Sequence, residues 1–211
     1  LRRPADEPAL SARTRWLLFL ESFLGNFLFT ICMLYGMRLT SASAAGVVMA
    51  AIPAAVAVLS AVFLREKLGR RQWLAIALAA VGIGLFSLGK PAHVLANSER
   101  VAGLPLAFWG NALVLAAVLC EAAYVVIGKQ LTQGLGPRRI SALINLWGLA
   151  LVTPLALWAL PQVNWQAMTW PLWGLLVFYA LAASVWTVWL WLTGLKRVPA
   201  NQAAQFARIR K

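Results

Sequence analysis

Six apolar stretches, each of about twenty residues, constrain the fold of this chain more than any other feature. The stretch Gly46–Leu64, for example, runs for nineteen residues without a charged side chain. Because an α-helix rises about 1.5 Å per residue, roughly twenty apolar residues cross a bilayer core of about 30 Å. The sequence therefore predicts six membrane spans, which are Trp16–Met37, Ala42–Leu64, Trp73–Gly89, Pro105–Gly128, Ile140–Leu160 and Leu172–Leu195.

The composition agrees with lipid as the solvent around these stretches. Hydrophobic residues make up 62% of the chain and charged residues only 12%, whereas a soluble domain is about half apolar and about a quarter charged. A buried soluble core explains one or two such stretches, but six leave too few polar faces for a surface in water. The stretches also lack the period-two alternation of a membrane β-barrel. We therefore predict an all-α membrane protein, a bundle of six transmembrane helices.

The positive charges are concentrated in alternate connections between the spans. A net charge of +13 could indicate nucleic-acid binding, but sixteen of the nineteen cations fall on one side of the predicted membrane. The positive-inside rule places that side, with both ends of the chain, in the cytoplasm. We therefore predict the lipid bilayer, and no nucleic acid, as a partner. The opposite side holds only Arg38, Lys90 and Arg100.

A weak internal repeat relates the first span to the last. An offset of 158 residues aligns "YGMRLTSASAAG", which begins at Tyr35, with "TGLKRVPANQAA", which begins at Thr193. The first copy lies on the predicted outer side and the second on the inner side, so the repeat is inverted. Inverted repeats are common in membrane transporters. The spacing between the copies predicts a repeat of five helices.

Three segments carry a resemblance to a known family. They are the run from Tyr35 to Gly89, the "REKL" that begins at Arg65, and the later "LCEAAYVVIGKQL". Together they resemble the EamA-type branch of the drug/metabolite transporter superfamily, over about residues 10 to 205. The resemblance implies a ten-helix carrier of the bacterial inner membrane, with two inverted five-helix repeats. It also implies transport of small metabolites or drugs by alternating access.

On this resemblance, the six spans correspond to helices three to eight of ten. Residues 1–90 then form the C-terminal part of the first repeat, 91–104 the outer linker, and 105–211 the N-terminal part of the second repeat. We expect a chain truncated at both ends, belonging to a secondary transporter with export as the expected direction. The alternatives are a non-transporting membrane scaffold, a complementing fragment, or the inactive product of a truncated gene.

Polar side chains within the spans are the candidates for a solute path or for ion coupling. Placing such groups in a membrane costs free energy, so they face protein or water and mark functional sites by default. Glu121, with Tyr124 on nearly the same helix face, is a candidate proton carrier. The alternatives are snorkelling to the cytoplasmic edge for Glu21, helix-to-helix hydrogen bonding for Asn26, a structural hydrogen-bonded role for Glu121, and ordinary packing for Asn145, Ser184 and Trp186. The complete set of candidates is Glu21, Asn26, Glu121, Tyr124, Asn145, Ser184 and Trp186.

The second span is built from small residues with a proline near its middle. Gly46 and Ala50 are four residues apart, a spacing that predicts close approach of a neighbouring helix. Pro53 removes a backbone donor and predicts a kink near mid-membrane. The span is therefore either a plain packing helix or a moving wall of a central cavity.

The sequence shows none of the common catalytic motifs. It lacks G-x-S-x-G, H-E-x-x-H and a phosphate-binding loop, and its one histidine, His93, falls in a predicted outer loop. Cys32 and Cys120 lie inside spans, which suggests neither a disulfide framework nor a metal site. We therefore expect no enzymatic activity, no cofactor and no metal. Amino acids, other metabolites and drugs are all open as solutes, and so is a homodimer.

Overall fold

The protein is helical almost throughout the part that the structure describes. The computed structural model describes residues 10–88, 100–101, 104–162, 165 and 168–195. The predicted all-α membrane architecture is confirmed; a two-residue antiparallel pairing of β1 (Arg100–Val101) with β2 (Leu104–Pro105) precedes the fourth span. The helices are α1 (Ala12–Ser22), α2 (Phe29–Leu39), α3 (Ala42–Met49), α4 (Ile52–Phe63), α5 (Arg70–Leu88), α6 (Leu106–Leu131), α7 (Pro137–Ala159), α8 (Trp170–Leu181) and α9 (Val188–Leu195).

The described residues also contain two π-helical segments and a 3₁₀ turn after α7. The segment π1 (Phe23–Leu28) joins α1 to α2, and π2 (Ala182–Thr187) joins α8 to α9. The 3₁₀ turn Leu160–Gln162 follows α7. The offset of 158 that aligns the sequence repeat maps Leu24 onto Ala182, so the two π-helical segments occupy corresponding places to within one residue. Such segments are rare and occur frequently at functional sites.

Five helical stretches of the described chain are long and apolar enough to cross a membrane. They are Ala12–Leu39, Ala42–Phe63, Leu106–Leu131, Pro137–Gln162 and Trp170–Leu195. The predicted span Trp73–Gly89 coincides with α5, which has 19 residues but is not among the five. Arg70, Arg71 and Gln72 fill its first turn, so its apolar part is shorter than that of the other spans. Gly89 itself lies outside the described residues, as do Lys90 and His93 and the basic residues at both chain ends.

Large apolar side chains cover much of the described surface. Trp158 is 75% exposed and Trp170 is 88% exposed, and many leucines are more than half exposed. Soluble monomers rarely expose contiguous apolar patches of this extent. The surface is that of a protein whose helices face lipid or further apolar helices.

Serine residues cap two of the helices. The Ser11 hydroxyl accepts a hydrogen bond from the Thr14 backbone N–H at 3.1 Å, at the start of α1. The Ser41 hydroxyl accepts one from the Ala44 backbone N–H at 3.2 Å, at the start of α3. Each cap satisfies one of the backbone donors that the first helical turn leaves unpaired. The sequence thereby fixes where two of the membrane helices begin.

The span with the central proline is interrupted just before its middle. The helix α3 ends at Met49, and α4 begins at Ile52, with Pro53 in its first turn. A proline is tolerated at that position because the first-turn N–H groups have no partner within the helix. The interruption therefore falls immediately before Pro53, at residues 50–51.

The described chain packs into two compact units. The first unit combines residues 10–23 with residues 127–195, and the second contains residues 24–126. This division follows helix packing, whereas the repeats 1–90 and 105–211 with the linker 91–104 are defined by sequence alone. The repeat boundaries therefore stay a prediction.

Glycines bring α2 and α6 close together in the second unit. A Cβ on Gly110 would lie 2.7 Å from the Leu39 carbonyl carbon, and one on Gly36 would lie 2.8 Å from Val114 Cγ2. The Thr40 hydroxyl donates to Asn111 Oδ1 at 2.7 Å at the same helix ends. Close backbone approach of this kind stabilises helix pairs in lipid, where apolar burial gives little driving force.

A small apolar core lies beside this contact. It consists of Ala45, Val48, Val114 and Val118, all of which are buried. The close approach predicted at Gly46 is wrong, because no described atom outside its own helix lies within 4 Å of the place its Cβ would take. The close approaches are made by other glycines, whose helix faces the sequence spacing did not identify.

Candidate functional site

A cavity in the first unit brings three of the predicted residues together. It has a volume of about 510 Å³ and lies among α7, π2 and α9. Asn145, Ser184 and Trp186 line it, although they are separated by up to 41 positions in the sequence. The other lining residues are Arg138, Ser141, Ala142, Val185 and Trp189. Cavities of about 300 to 1,000 Å³ are typical of sites for small molecules.

Asn145 ties two walls of this cavity together. Its side-chain Nδ2 donates to the Ser141 carbonyl at 2.8 Å and to the Ser184 carbonyl at 2.9 Å. The first bond stays within α7, and the second reaches the π-helical segment π2. Both N–H groups of the amide are thereby used, which leaves its carbonyl oxygen as an acceptor. The amide therefore fixes the π-helical wall and keeps one polar atom for another group.

Arg138 brings a positive charge to the same cavity. Its guanidinium carbon lies 5.4 Å from the ring centroid of Trp189, within the range of a cation–π interaction. Arg138, Ser141 and Asn145 are spaced i, i+3 and i+7, so they share one face of α7. Sequence reasoning assigned Arg138 only to membrane topology and missed Trp189. The helical spacing around Asn145 was the signal that could have found Arg138.

Glu21 occupies a separate buried position in the first unit. Its side chain is fully buried, and neither carboxylate oxygen has a hydrogen-bond partner among the described residues. A Cβ on Gly128 would lie 2.8 Å from Glu21 Oε1, so the carboxylate fills the space that a side chain at position 128 would need. The same Cβ would lie 3.5 Å from a methyl carbon of Leu192 and from one of Leu195. The carboxylate therefore faces glycine backbone and leucine side chains.

Two further side chains connect the helices around Glu21 through backbone carbonyls. The Ser22 hydroxyl donates to the Ile144 carbonyl at 2.7 Å and links α1 to α7. The Lys129 ammonium donates to the Leu195 carbonyl at 2.7 Å, at the end of α9. A lysine at this place satisfies one of the carbonyls that a helix C-terminus leaves unpaired.

The remaining candidates lie in the second unit. The Tyr124 ring packs against Gly25, where an added Cβ would lie 2.8 Å from Tyr124 Cγ. Asn26, the next residue, accepts a 2.6 Å hydrogen bond at its backbone carbonyl from the Thr30 hydroxyl. Glu121 is half-buried on α6. Of the seven predicted residues, three line the cavity, Glu21 is buried separately in the first unit, and the other three lie in the second unit.

A second depression of about 520 Å³ does not join different elements. Its lining residues all come from α7, and they include Trp147, Leu149 and Pro154. A groove along one helix exposes apolar side chains but brings no convergent polar groups to a ligand. The cavity among α7, π2 and α9 is therefore the stronger candidate for a solute site.

The comparisons with known proteins find a transporter family and two transporter relatives. The profile of the EamA-like transporter family matches residues 3–88 and 108–209. The uncharacterized transporter YetK of Bacillus subtilis (strain 168) is 32% identical over 202 residues, which cover 96% of this chain and 59% of that protein. The uncharacterized transporter YyaM of the same strain is 22% identical over 183 residues, which cover 87% of this chain and 58% of that protein. The chain thus spans less than two thirds of the length of either relative, and no solved structure gives a significant match.

Proposed function

Because the chain belongs to the EamA-like transporter family, we propose that it forms part of a secondary transporter of a bacterial inner membrane. The proposed transporter exports small metabolites or drugs by alternating access. The observation that carries the proposal is the cavity among α7, π2 and α9, which gathers Asn145, Ser184 and Trp186. Its polar atoms lie within helices that have the length and hydropathy of membrane spans.

The construction of the cavity suits a path whose walls change position. One wall is a π-helical segment that a side-chain hydrogen bond, from Asn145 to the Ser184 carbonyl, links to α7. Interhelical hydrogen bonds of this type contribute about 0.6 kcal/mol on average in membrane proteins. A bond of that strength can break and re-form as the solute enters or leaves. The second π-helical segment, π1, gives the first span a corresponding irregularity.

The charge pattern supports the proposed orientation. Arg138 and Arg139 begin α7 on the side that holds most of the cations, so we place the Arg138 end of the cavity towards the cytoplasm. A solute would then reach the cavity from the cytoplasm, past Arg138, before release on the opposite side. Movement of the solute from the cytoplasm into the cavity and out on the opposite side corresponds to export.

Glu21 is the proposed coupling group. An ionised carboxylate without hydrogen-bond donors is costly in an apolar interior, so a carboxyl group in this position is expected to carry a proton. Movement of α1 away from Gly128 would expose the group to water and release the proton. The charged residue next to Gly128 in the sequence is Lys129. Its ammonium group donates a hydrogen bond to the Leu195 carbonyl. We therefore propose Glu21, in preference to the half-buried Glu121, as the proton carrier.

Solute counterflow in proteoliposomes tests the transport proposal. The chain is reconstituted into liposomes, which are loaded in turn with unlabelled phenylalanine, leucine, aspartate, uridine or ethidium. The loaded liposomes are then diluted into a solution that contains a trace amount of the same compound in labelled form. At least one compound is expected to accumulate above the level in protein-free liposomes, and Asn145→Leu is expected to abolish that accumulation. Asn111→Leu is the matched control, because Asn111 also makes an interhelical hydrogen bond but does not line the cavity.

Two results would contradict the proposal. Absence of counterflow for the whole panel, from protein that retains its helical circular dichroism, would favour the non-transporting scaffold. Equal loss of counterflow in Asn145→Leu and Asn111→Leu would show that the cavity has no special role in transport.

A further inference from the structure

The cavity in the first unit is electrically asymmetric. Its eight lining residues include one cation, Arg138, and no acidic residue. The described part of the chain contains three acidic residues, Glu21, Glu66 and Glu121. None of these three lines the cavity. Within the described residues, Arg138 therefore has no carboxylate partner at the cavity.

The chemistry of arginine makes an unpaired guanidinium a recognition group. It carries five N–H donors in a planar fork that matches a carboxylate, and it holds its charge at any physiological pH. Among the described residues, the Arg138 guanidinium lies over the face of Trp189, at 5.4 Å from the ring centroid. Stacking on the ring orients the guanidinium and leaves its N–H groups available for another acceptor.

Two tryptophans supply the apolar part of the same cavity. Trp186 is 52% exposed, and Trp186 and Trp189 are one turn apart, on π2 and α9. Indole rings offer large flat surfaces on which a planar apolar group packs well. Ala142 and Val185 complete the apolar part of the lining.

The remaining polar groups are neutral. The amide nitrogen of Asn145 is committed to two carbonyls, which leaves Oδ1 as an acceptor. Ser141 and Ser184 add hydroxyl groups that can donate or accept. A solute with one negative charge is therefore balanced by Arg138, whereas a cationic solute would meet a positive charge with no acid to offset it.

We propose that this cavity binds a monoanionic solute made of a carboxylate and a flat apolar body. Arg138 binds the carboxylate, and Trp186 and Trp189 pack against the apolar body. This assignment rests on the proposed transport function and narrows its solute class, because it excludes cationic drugs from this cavity. The shared chemistry of an anionic group on an apolar body also occurs in anionic lipids, so the test must separate the two sources.

Equilibrium dialysis with three matched probes tests the assignment. The full chain in phosphatidylcholine nanodiscs is dialysed against 1-naphthaleneacetate, its neutral amide, and 2-(1-naphthyl)ethylammonium. We expect the carboxylate to bind at least about tenfold more tightly than the amide, because a hydrogen-bonded charge pair is worth more than a neutral contact. The ammonium probe is expected to bind most weakly.

Variants at neighbouring positions assign the preference to Arg138. Arg138→Gln is expected to lower the affinity for the carboxylate to that for the amide and to leave the affinity for the amide unchanged. Arg139→Gln removes the same charge from the same helical turn outside the cavity lining, and it is expected to keep the preference. Trp189→Leu is expected to weaken binding of the carboxylate and of the amide by a similar factor.

The outcomes separate this inference from the transport proposal. If Asn145→Leu abolishes counterflow but the chain binds the three probes equally, the solute class is wrong and the transport function stands. If the cavity variants change neither probe binding nor counterflow, both proposals fail. If one-third phosphatidylglycerol in the nanodiscs displaces the carboxylate probe from the wild type but not from Arg138→Gln, a lipid headgroup occupies the site and the assignment to a solute is overturned.

Discussion

The two compact units hold their helices together by different means. In the first unit, side chains reach across to backbone carbonyls, as Ser22 does to Ile144 and Asn145 to Ser184. In the second unit, helices touch mainly through glycine, as Gly110 does at the end of α2, next to a side-chain hydrogen bond from Thr40 to Asn111. The first unit also contains the buried carboxylate and the cavity, whereas the second contains the small apolar core.

This difference separates parts that can rearrange from parts that cannot. A hydrogen bond from a side chain to a carbonyl can exchange for another at modest cost, because polar groups in a membrane find alternative partners. A glycine contact made by backbone atoms has no such alternative, since a shift of the helix either opens a gap or produces a clash. The comparison therefore predicts a rigid second unit and a first unit whose walls adjust to a solute.

The largest stability effect is expected at Gly110. Gly110→Leu places a side chain against the backbone of Leu39 and Thr40, where the nearest atoms cannot move aside. Overpacking costs about 1 to 3 kcal/mol and sometimes more, so we expect a loss of about 3 kcal/mol in detergent unfolding. Gly46→Leu is the matched control, with no described neighbour within 4 Å and an expected change below about 1 kcal/mol. Equal losses of unfolding free energy in the two variants would contradict the role given to the Gly110 contact.

The next prediction compares two asparagine variants that are expected to lose similar stability but to differ in solute binding. Asn145→Leu and Asn111→Leu each remove an interhelical hydrogen bond, and each is expected to cost about 0.6 to 1.7 kcal/mol in stability. Only Asn145→Leu should also abolish binding of the naphthaleneacetate probe. Thermal unfolding in micelles and dialysis measure the two properties. A loss of probe binding in Asn111→Leu would contradict the assignment of the site to the first unit.

A smaller change tests the state of Glu21 without perturbing the fold. Glu21→Gln keeps the shape of the side chain, so we expect the protein to remain folded and the infrared spectrum at neutral pH to lose a band of a protonated carboxyl group. Glu121→Gln, at a half-buried position of the second unit, should leave that band in place. If Glu21→Gln instead removes an ionised carboxylate band, Glu21 is not the proposed proton carrier.

The smallest effect compares two buried serines. The Ser22 hydroxyl bonds Ile144 on another helix, whereas the Ser60 hydroxyl bonds the Ala57 carbonyl of its own helix. We expect Ser22→Ala to cost about 0.6 kcal/mol and Ser60→Ala to cost less, because no helix pair loses a connection. Chemical unfolding of both variants in the same detergent measures the difference. A larger loss for Ser60→Ala would reverse the expected order.

Hydropathy predicted five of the six spans well because it depends on local sequence. The bilayer imposes one length and one polarity on every crossing helix, so a window of about twenty residues contains most of the information. The caps at Ser11 and Ser41 also involve residues only three positions apart, although the first predicted span began later, at Trp16. The π-helical segments had no such local signal in the sequence.

The residues of the candidate site could be brought together from the sequence only in part, because the cavity depends on which helix faces meet. Asn145, Ser184 and Trp186 were found separately as polar or aromatic residues within spans, but the sequence did not place them in one cavity. Arg138 was missed because one cation can serve both topology and binding. The contact of Glu21 with Gly128 was also not predictable, since several glycines occur in the spans and only tertiary packing selects one.

Alternating access through the first-unit cavity is tested most directly by labelling one engineered cysteine from both sides of the membrane. Cys32 and Cys120, both buried free thiols, are replaced by alanine, and Ser184→Cys is introduced into the cavity wall. A membrane-impermeant thiosulfonate is applied to right-side-out and to inverted bacterial membrane vesicles. We expect modification in both preparations, with 1-naphthaleneacetate slowing the reaction in each. Modification from one side alone, unchanged by the probe, would contradict alternating access through this cavity.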